Sequence, residues 1–320
     1  MKLKKIDKKN RNLKLSWSKD FKKNGVMYLI FIPVFVFFLI FNYIPMAGIL
    51  MAFENYSVRK GLFGSEWVWF DNFKELFADE QALYALRNTL GMAFLNLTIG
   101  FVIPIFFALL LSQVKIKPVK RVFQSISYMP NFVATVVICT LLTEFLDVGG
   151  AITKIFVAFG MKEQNILAIN SPVFWFINCF ADVWQGCGYG AIVFVAAISN
   201  VNSDLYEAAS IDGAGRIKRI FKITLPCIWP TIVTMFTLKV GLVFKSGFDK
   251  VLLLYMTPTL EWADVLTTYI YRTSFSTSVN YSLSTALGLF QSVLSMLLLI
   301  ASNKLNKWAT KSSLFEGGQI

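Results

Sequence analysis

Histidine is absent from the 320 residues, cysteine occurs only four times, and charged residues make up only 16% of the chain. Without histidine the chain lacks the usual general base and the Ser-His-Asp and Cys-His nucleophile systems. The cysteines form no Cys-x-x-Cys pair, so we expect no zinc or haem site. A Gly-x-x-x-x-Gly-Lys-[Ser/Thr] phosphate loop is also missing, so we expect no cofactor and no ATP hydrolysis in this chain.

What the chain has in abundance is apolar surface. Hydrophobic residues make up 56%, including 31 Phe and 8 Trp, whereas soluble domains carry roughly 25% charged residues. A spanning helix needs roughly 20 mainly apolar residues. The sequence therefore predicts an all-α polytopic membrane protein with about six transmembrane helices, at residues 27–53, 89–111, 122–146, 173–198, 229–255 and 282–301.

The net charge of +12 is explained by where the basic residues lie, which argues against nucleic-acid binding. Lys and Arg gather in the amino-terminal tail, in the second and fourth connections between spans, and at the carboxyl end, as cytoplasmic segments do. We therefore predict cytoplasmic termini. The expected organisation is a basic tail (1–25), a transmembrane domain (26–310) and a second cytoplasmic tail (311–320).

Two segments on the other side have apolar residues at helical spacing. They are residues 54–87, with Phe73, Leu76 and Phe77, and residues 148–172, with Ile152 and Ile155. Each predicts a short amphipathic helix. Structural packing is the favoured interpretation and contact with a ligand is the alternative.

Residues 203–226, in the fourth connection, have the pattern of two short helices. Leu205 and the small Ala208 and Ala209 can share one face, while Gly213 permits a turn that a larger residue resists. A second helix follows, which Pro226 is expected to help end. The sequence predicts a compact knob on the cytoplasmic side, and an ordinary amphipathic connector is the alternative.

This segment closely resembles the EAA signature of ABC importer permeases. The matching residues are Glu207, Ala208, Ala209, Asp212, Gly213, Ala214, Leu225 and Pro226, of which Asp212 to Ala214 give the form common in carbohydrate importers. The resemblance implies that the knob is the coupling helix, which docks into a cleft of an ATPase subunit. ATP-driven closure of the ATPase pair would then move the membrane helices.

Further stretches are similar to the LplB-like permeases of the MalF type, at residues 65–73, 87–90, 247–249, 263–272 and 286–292. This resemblance implies the MalF-type permease fold in a bacterial plasma membrane. It also implies a second permease, an ABC ATPase homodimer carrying ATP and Mg, a lipid-anchored extracellular solute-binding protein, and a complex oligosaccharide as substrate. One departure is Lys250, where the family pattern predicts a neutral Gln.

Charged residues at membrane depth are costly and usually face a water-filled path or a partner. Lys239, Lys245 and Asp249 are therefore candidate pathway residues, and Lys245 and Asp249 are four apart and could pair on one helical face. A purely structural ion pair or snorkelling lysines are the alternatives. Lys250 is expected to reach water near the outer end. A positive pathway raises the possibility of an acidic sugar.

Sugars are bound by aromatic faces and polar side chains, so other residues in the spans are also candidates for the pathway. They are Trp184, Gln185, Tyr189, Asn131 and Glu144. Lipid-facing or packing roles are the alternatives for the aromatic ones.

Two other classes of function stay open. An ion-coupled secondary transporter of a polar solute would use the embedded Lys and Asp as coupling groups, but would leave the EAA segment unexplained and would usually show an internal repeat, which this sequence lacks. A membrane-embedded enzyme would need a catalytic cluster, and none is evident.

Overall fold

The computed structural model describes residues 17–244, 247–275 and 279–310. Its α-helices are α1 (Trp17–Phe38), α2 (Asp71–Ala78), α3 (Glu80–Gln113), α4 (Lys117–Tyr128), α5 (Thr135–Leu146), α6 (Ala151–Ala158), α7 (Val173–Ser199), α8 (Ser203–Ile211), α9 (Arg216–Arg219), α10 (Leu225–Leu242), α11 (Phe248–Leu254), α12 (Leu260–Ala263), α13 (Leu266–Phe275) and α14 (Tyr281–Thr310). Wider or tighter helical turns cover Leu39–Tyr43, Ile44–Phe53, Met129–Phe132, Ile166–Ala168, Ile220–Thr224 and Thr257–Thr259. The strands β1 (Glu54–Asn55) and β2 (Glu66–Trp67) pair antiparallel.

Within the described residues, six helical segments are long and apolar enough to cross a membrane. They are Lys23–Phe53, Glu80–Gln113, Thr135–Ala158, Val173–Ser199, Arg216–Leu242 and Tyr281–Ala309. The prediction of an all-α protein with about six transmembrane helices is thereby confirmed, since the only described strands have two residues each. The two predicted tails, 1–25 and 311–320, lie largely outside the described residues.

The chain divides into two compact units, residues 1–50 and 51–320. In the second unit, α3 and α7 pack along much of their length and α10 packs against α14. One core of this unit joins Phe101 of α3, Ala191 of α7 and Ile228 of α10. Three of the predicted spans therefore share one apolar interior.

The third span begins later than predicted and also ends later, at Thr135–Ala158 instead of 122–146. Residues 117–128 form the separate helix α4, and α5 starts only at Thr135 after two extended residues, Val133 and Ala134. Pro130 lies in the tight turn between them, where its missing N–H cannot support a continuous α-helix. The apolar run 122–146 is therefore two helices.

The fifth span starts earlier than predicted and also ends earlier. Its helical segment runs from Arg216 to Leu242, instead of covering residues 229–255. Gly247, with φ of +91°, precedes the short helix α11. This left-handed backbone conformation, which glycine adopts without strain, interrupts an α-helix. A single helix therefore does not run through residue 255.

Both predicted short helices are present, as α2 and α6, but α6 forms the end of the third spanning segment instead of lying outside the spans. Leu76 of α2 is buried in a cluster with Ala82 and Leu287, and Ile152 of α6 packs against a second core cluster. These contacts favour the packing interpretation.

The first turns of α3 are attached to the segment that contains α12 and α13. The fully buried Asn88 side chain donates hydrogen bonds to the backbone carbonyls of Glu261, at 3.0 Å, and Asp264, at 2.8 Å. The Thr89 hydroxyl accepts a hydrogen bond from the N–H of Leu266 at 2.9 Å. Residues 87–90 and 263–272, two of the stretches that carry the family resemblance, therefore meet in space.

The Asp264 side chain links residues within the segment that contains α12 and α13. It accepts a hydrogen bond from the Thr268 hydroxyl at 2.6 Å and forms an ion pair with Arg272. Burial raises the pKa of the Asp264 carboxyl above its ordinary value, although the hydrogen bonds from Thr268 and Arg272 favour the charged form. Tyr269 donates a hydrogen bond to Asp79, the residue that caps α3.

Replacing Asn88 by Ala is expected to destabilise the protein by about 1–3 kcal/mol, because the buried Asp264 carbonyl would lose its partner. The Glu261 carbonyl would keep a hydrogen bond from Arg87. The melting temperature of the purified transporter measures this effect. The control is Leu90→Ala, which truncates an exposed side chain on the same helix. Equal melting temperatures for the two variants would contradict the structural role of Asn88.

Candidate coupling loop and polar cavity

The loop at residues 203–226 begins with a well-capped helix. The Asn202 side chain accepts a hydrogen bond from the Asp204 N–H at 3.0 Å, which caps the start of α8. At its end, Gly213 has φ of +72°, and the Ala214 N–H bonds to the Ala209 carbonyl at 2.8 Å. This is the glycine-ended Schellman arrangement. The predicted turn at Gly213 is therefore present.

The second half of the loop is not a separate short helix. From Arg216 to Leu242 the chain is helical throughout, with one wide turn at Ile220–Thr224. In that turn the Leu225 N–H bonds to the Ile220 carbonyl, five residues back. The expectation that Pro226 helps end the helix is wrong, because Pro226 lies in the first turn of α10, where a missing N–H is tolerated and the wide turn before it relieves the clash of the ring.

Two side-chain contacts join the halves of the loop. The Tyr206 and Thr224 hydroxyls lie 3.0 Å apart, and Arg219 Nη1 donates a hydrogen bond to Ser210 Oγ at 2.7 Å. The helix α8 is thereby fixed to the beginning of the fifth span. A force on α8 would be passed directly to that span.

The surface of the loop and of the first turns of the fifth span carries exposed apolar side chains. Leu205, Ile211, Ile217 and Phe221 are 46%, 87%, 73% and 63% exposed. Contiguous exposed apolar patches mark surfaces that bind other proteins or membranes. Of the signature residues, Glu207, Ala208, Asp212, Gly213 and Pro226 are exposed and Ala209, Ala214 and Leu225 are half-buried.

A second feature is a cavity of about 260 Å³ lined by α3, α7 and α10. Its polar lining side chains are Asn96, Asp182 and Lys239, and Gly186 and Gly190 leave room on the α7 side. The cavity lies within three of the spans, where polar side chains are costly unless they serve a pathway or a partner.

Asp182 is the centre of the polar contacts in this cavity. It forms an ion pair with Lys250, and it accepts a hydrogen bond from Asn96 Nδ2 at 3.2 Å. Lys250 is only 8% exposed. The expectation that Lys250 reaches water is therefore wrong, because the carboxylate of Asp182 satisfies its ammonium group inside the bundle.

Lys239 has no carboxylate partner among the described residues, although its side chain is half-buried. Its Nζ lies 5.9 Å from the centroid of the Phe101 ring. Gly100 provides the space, since a Cβ there would lie 2.8 Å from Asn96 Oδ1 and 3.4 Å from Lys239 Nζ. Asp182, the only carboxylate that lines the cavity in the described part of the chain, is paired with Lys250, so Lys239 forms no ion pair of its own.

The remaining candidate pathway residues do not converge on this cavity. Trp184 lines a separate apolar cavity of about 310 Å³, and Gln185 Nε2 donates a hydrogen bond to the Val133 carbonyl at 3.1 Å. Glu144, Tyr189 and Asp249 are exposed, and Asn131 is half-buried in the turn after α4. Lys245, and with it the expected pair with Asp249, lies outside the described residues.

Asp182 is the functional candidate that our sequence reasoning missed. Asp182 is a charged residue within the apolar run 173–198, and a charge at membrane depth is the same criterion by which Lys239 was predicted to be a pathway residue. What the sequence does not show is its partner, since Lys250 follows in the chain 68 residues later.

Comparison with known proteins shows the family of this chain. Residues 100–311 match the family model "Binding-protein-dependent transport system inner membrane component". Protein LplB of Bacillus subtilis (strain 168) is 37% identical over 304 residues, which cover 94% of each chain. This chain belongs to that family of permeases.

Another relative and a solved structure extend the likeness of this permease to nearly its whole length. The polygalacturonan/rhamnogalacturonan transport system permease protein YteP of Bacillus subtilis (strain 168) is 38% identical over 282 residues, covering 88% of this chain and 87% of that protein. The solved structure is a chain of a bacterial alginate ABC transporter in complex with an alginate pentasaccharide-bound periplasmic protein. The two chains superpose with a TM-score of 0.84 at 35% sequence identity, and the match covers 93% of this chain and 99% of the other. The permease is therefore a multi-pass membrane protein of ABC import, which favours transport over catalysis and over an ion-coupled carrier.

Proposed function

We propose that this permease couples the motion of an ATPase to the import of oligosaccharides through the loop at residues 203–226. The observation that carries the proposal is the combination of a rigid loop with an exposed apolar surface. Ser210 and Tyr206 are tied to the first turns of the fifth span, whereas Ile211 and Ile217 remain open to a partner. A docking surface needs both properties, because it must be bound and must also transmit force.

The fifth span supplies the route from this loop to the cavity. One helix runs from Arg216 to Leu242, so Lys239 lies about 35 Å along the same helix from Arg216 of the loop, at 1.5 Å per residue. Helices are stiff over such lengths. Movement of the docked loop would therefore change the cavity walls formed by α10 against α3 and α7.

The proposed assembly has four further components. A second permease completes the pathway. Two copies of an ATPase bind ATP and Mg in the cytoplasm and dock on residues 203–226. A lipid-anchored binding protein delivers the substrate from outside. Both termini, including the tails 1–25 and 311–320, would be cytoplasmic. The basic residues of the amino-terminal tail support this orientation.

For the substrate we propose an acidic oligosaccharide. The named substrates of YteP and of the alginate importer are polysaccharides rich in uronic acids, and these proteins resemble this chain over most of its length. Lys239 supports the same class, since its ammonium group borders the cavity without an ion-pair partner among the described residues. A uronate carboxylate would provide that partner.

We expect Lys239→Gln to slow uptake of a labelled oligogalacturonate by about tenfold or more, because a hydrogen bond between charged groups contributes about 1.5–3 kcal/mol. The methyl-esterified form of the same oligosaccharide has no carboxylate and serves as the control, with a rate that the substitution leaves unchanged. Uptake is measured in cells that produce the complete transporter. Equal losses for both sugars would contradict a charge-based role for Lys239.

A further inference from the structure

A second cavity, of about 330 Å³, lies between the loop at residues 203–226 and the connection after the second span. Four basic side chains line it, Lys115 and Lys120 from the connection and Arg216 and Arg219 from the loop. No carboxylate lines it in the part of the chain that the structure describes, and none of the four cations forms an ion pair there. Four cations around one hollow repel each other unless an anion is bound.

The depth of this cavity is that of the lipid headgroups. Ser112 lies near the end of α3 and Ser199 at the end of α7, and both residues line the cavity. Both residues directly follow the apolar runs at residues 89–111 and 173–198, and the end of such a run marks the edge of the hydrocarbon layer. The cavity is therefore open at the level where phosphate groups of lipids lie.

The helix α4 gives a second, independent indication of a lipid interface. Its apolar side chains Val119, Val122, Phe123 and Ile126 are exposed and recur at helical spacing. Basic residues lie on the opposite side of the same helix, including Lys120 at the cavity. An amphipathic helix with exposed apolar residues on one face and Lys or Arg on the other lies in the plane of the interface.

We infer that this cavity binds the phosphate of an anionic phospholipid headgroup, which bridges α4 and the loop at residues 203–226. Basic pockets at the cytoplasmic ends of membrane helices suit such headgroups. The lipid would neutralise cations from both segments and hold them together, so that anionic lipid favours one position of the coupling loop. This inference extends the proposed function to its regulation by membrane composition, and its cytoplasmic placement depends on that proposal.

The test measures lysine accessibility in the purified complete transporter, without any uptake step. The transporter is placed in nanodiscs of phosphatidylcholine alone or with increasing phosphatidylglycerol, and its lysines are modified with an amine-reactive reagent and quantified by mass spectrometry. Inorganic phosphate in phosphatidylcholine nanodiscs forms the third arm. Lys117, exposed on α4 and outside the cavity, is the internal reference.

We expect phosphatidylglycerol to slow modification of Lys120 at least about fivefold relative to Lys117, with no effect from phosphatidylcholine or inorganic phosphate. In Lys115→Gln, half-protection should need about fivefold more phosphatidylglycerol. In the matched variant Lys117→Gln the exposed Lys154 of α6 replaces Lys117 as the internal reference, and protection of Lys120 should be unchanged.

Three outcomes would overturn the inference. Equal protection by inorganic phosphate would assign the cavity to a free anion. Equal protection of Lys117 and Lys120 would indicate diffuse surface charge without a site. Protection of Lys120 that depends on the bound ATPase and is independent of lipid would assign the four cations to an acidic protein surface.

Discussion

Glu207→Arg is expected to reduce ATP-driven uptake at least about 30-fold while the chain still inserts and folds. Glu207 is exposed on α8 and makes no hydrogen bond within the described residues, so its replacement removes no internal contact. Reversing a charge inside a protein–protein contact costs about 2–5 kcal/mol, and 2 kcal/mol alone weakens binding about 30-fold. The measurements are the initial rate of oligosaccharide uptake and the amount of ATPase that copurifies.

The control for this substitution is Glu163→Arg, which makes the same change of charge at an exposed residue in the segment between α6 and α7. It should leave both measurements unchanged. If Glu207→Arg keeps normal uptake with a normal amount of ATPase, residues 203–226 are not the coupling surface. If uptake falls while the ATPase stays bound, the loop transmits motion through contacts other than those that hold the complex together.

The parts of the fold that could be predicted from the sequence are those governed by long apolar runs. The second, fourth and sixth spans match in place, since residues 89–111, 173–198 and 282–301 all lie within or close to the helices α3, α7 and α14. Hydropathy identifies such spans because backbone polar groups must be satisfied within the helix when no water is present.

Where the fold differs from the prediction, a local backbone constraint lies inside an apolar run. Pro130 stands between α4 and α5, and Gly247 stands before α11. Hydropathy does not distinguish a continuous apolar helix from two helices joined by such a turn. The same limit applies to Pro226, whose effect depends on the wide turn before it and not on its own identity.

The coupling loop and the polar cavity could be predicted from the sequence to different degrees. The first half of the loop at residues 203–226 is local in sequence, so Gly213 indicates its turn directly, whereas the second half was wrongly predicted as a separate helix. The polar cavity depends on side chains from α3, α7 and α10, and on Lys250 of α11. Asp182 and Lys250 meet only through the packing of these helices, and no local pattern indicates that contact.

Asp182→Asn is expected to destabilise the transporter by about 3–5 kcal/mol and to abolish uptake. The Lys250 side chain is buried, and without the carboxylate its charge would have no compensating partner, which is the costly way to break a buried ion pair. Lys250→Gln should cost less, because Asp182 keeps the hydrogen bond from Asn96 and borders the cavity. Melting temperature and uptake are measured for both variants.

The double variant Asp182→Asn/Lys250→Gln separates the ion pair from the carboxylate itself. With neither charge present no ion is left buried, so the melting temperature should recover well above that of Asp182→Asn alone. Asp249→Asn, which neutralises an exposed neighbour of Lys250, is the matched control and should change the melting temperature and the uptake rate little.

If the double variant has as low a melting temperature as Asp182→Asn, the carboxylate is needed for contacts other than the one with Lys250. The ion pair would then not determine the stability of the transporter. If stability recovers but uptake does not, Asp182 also acts in the pathway, beside Lys239.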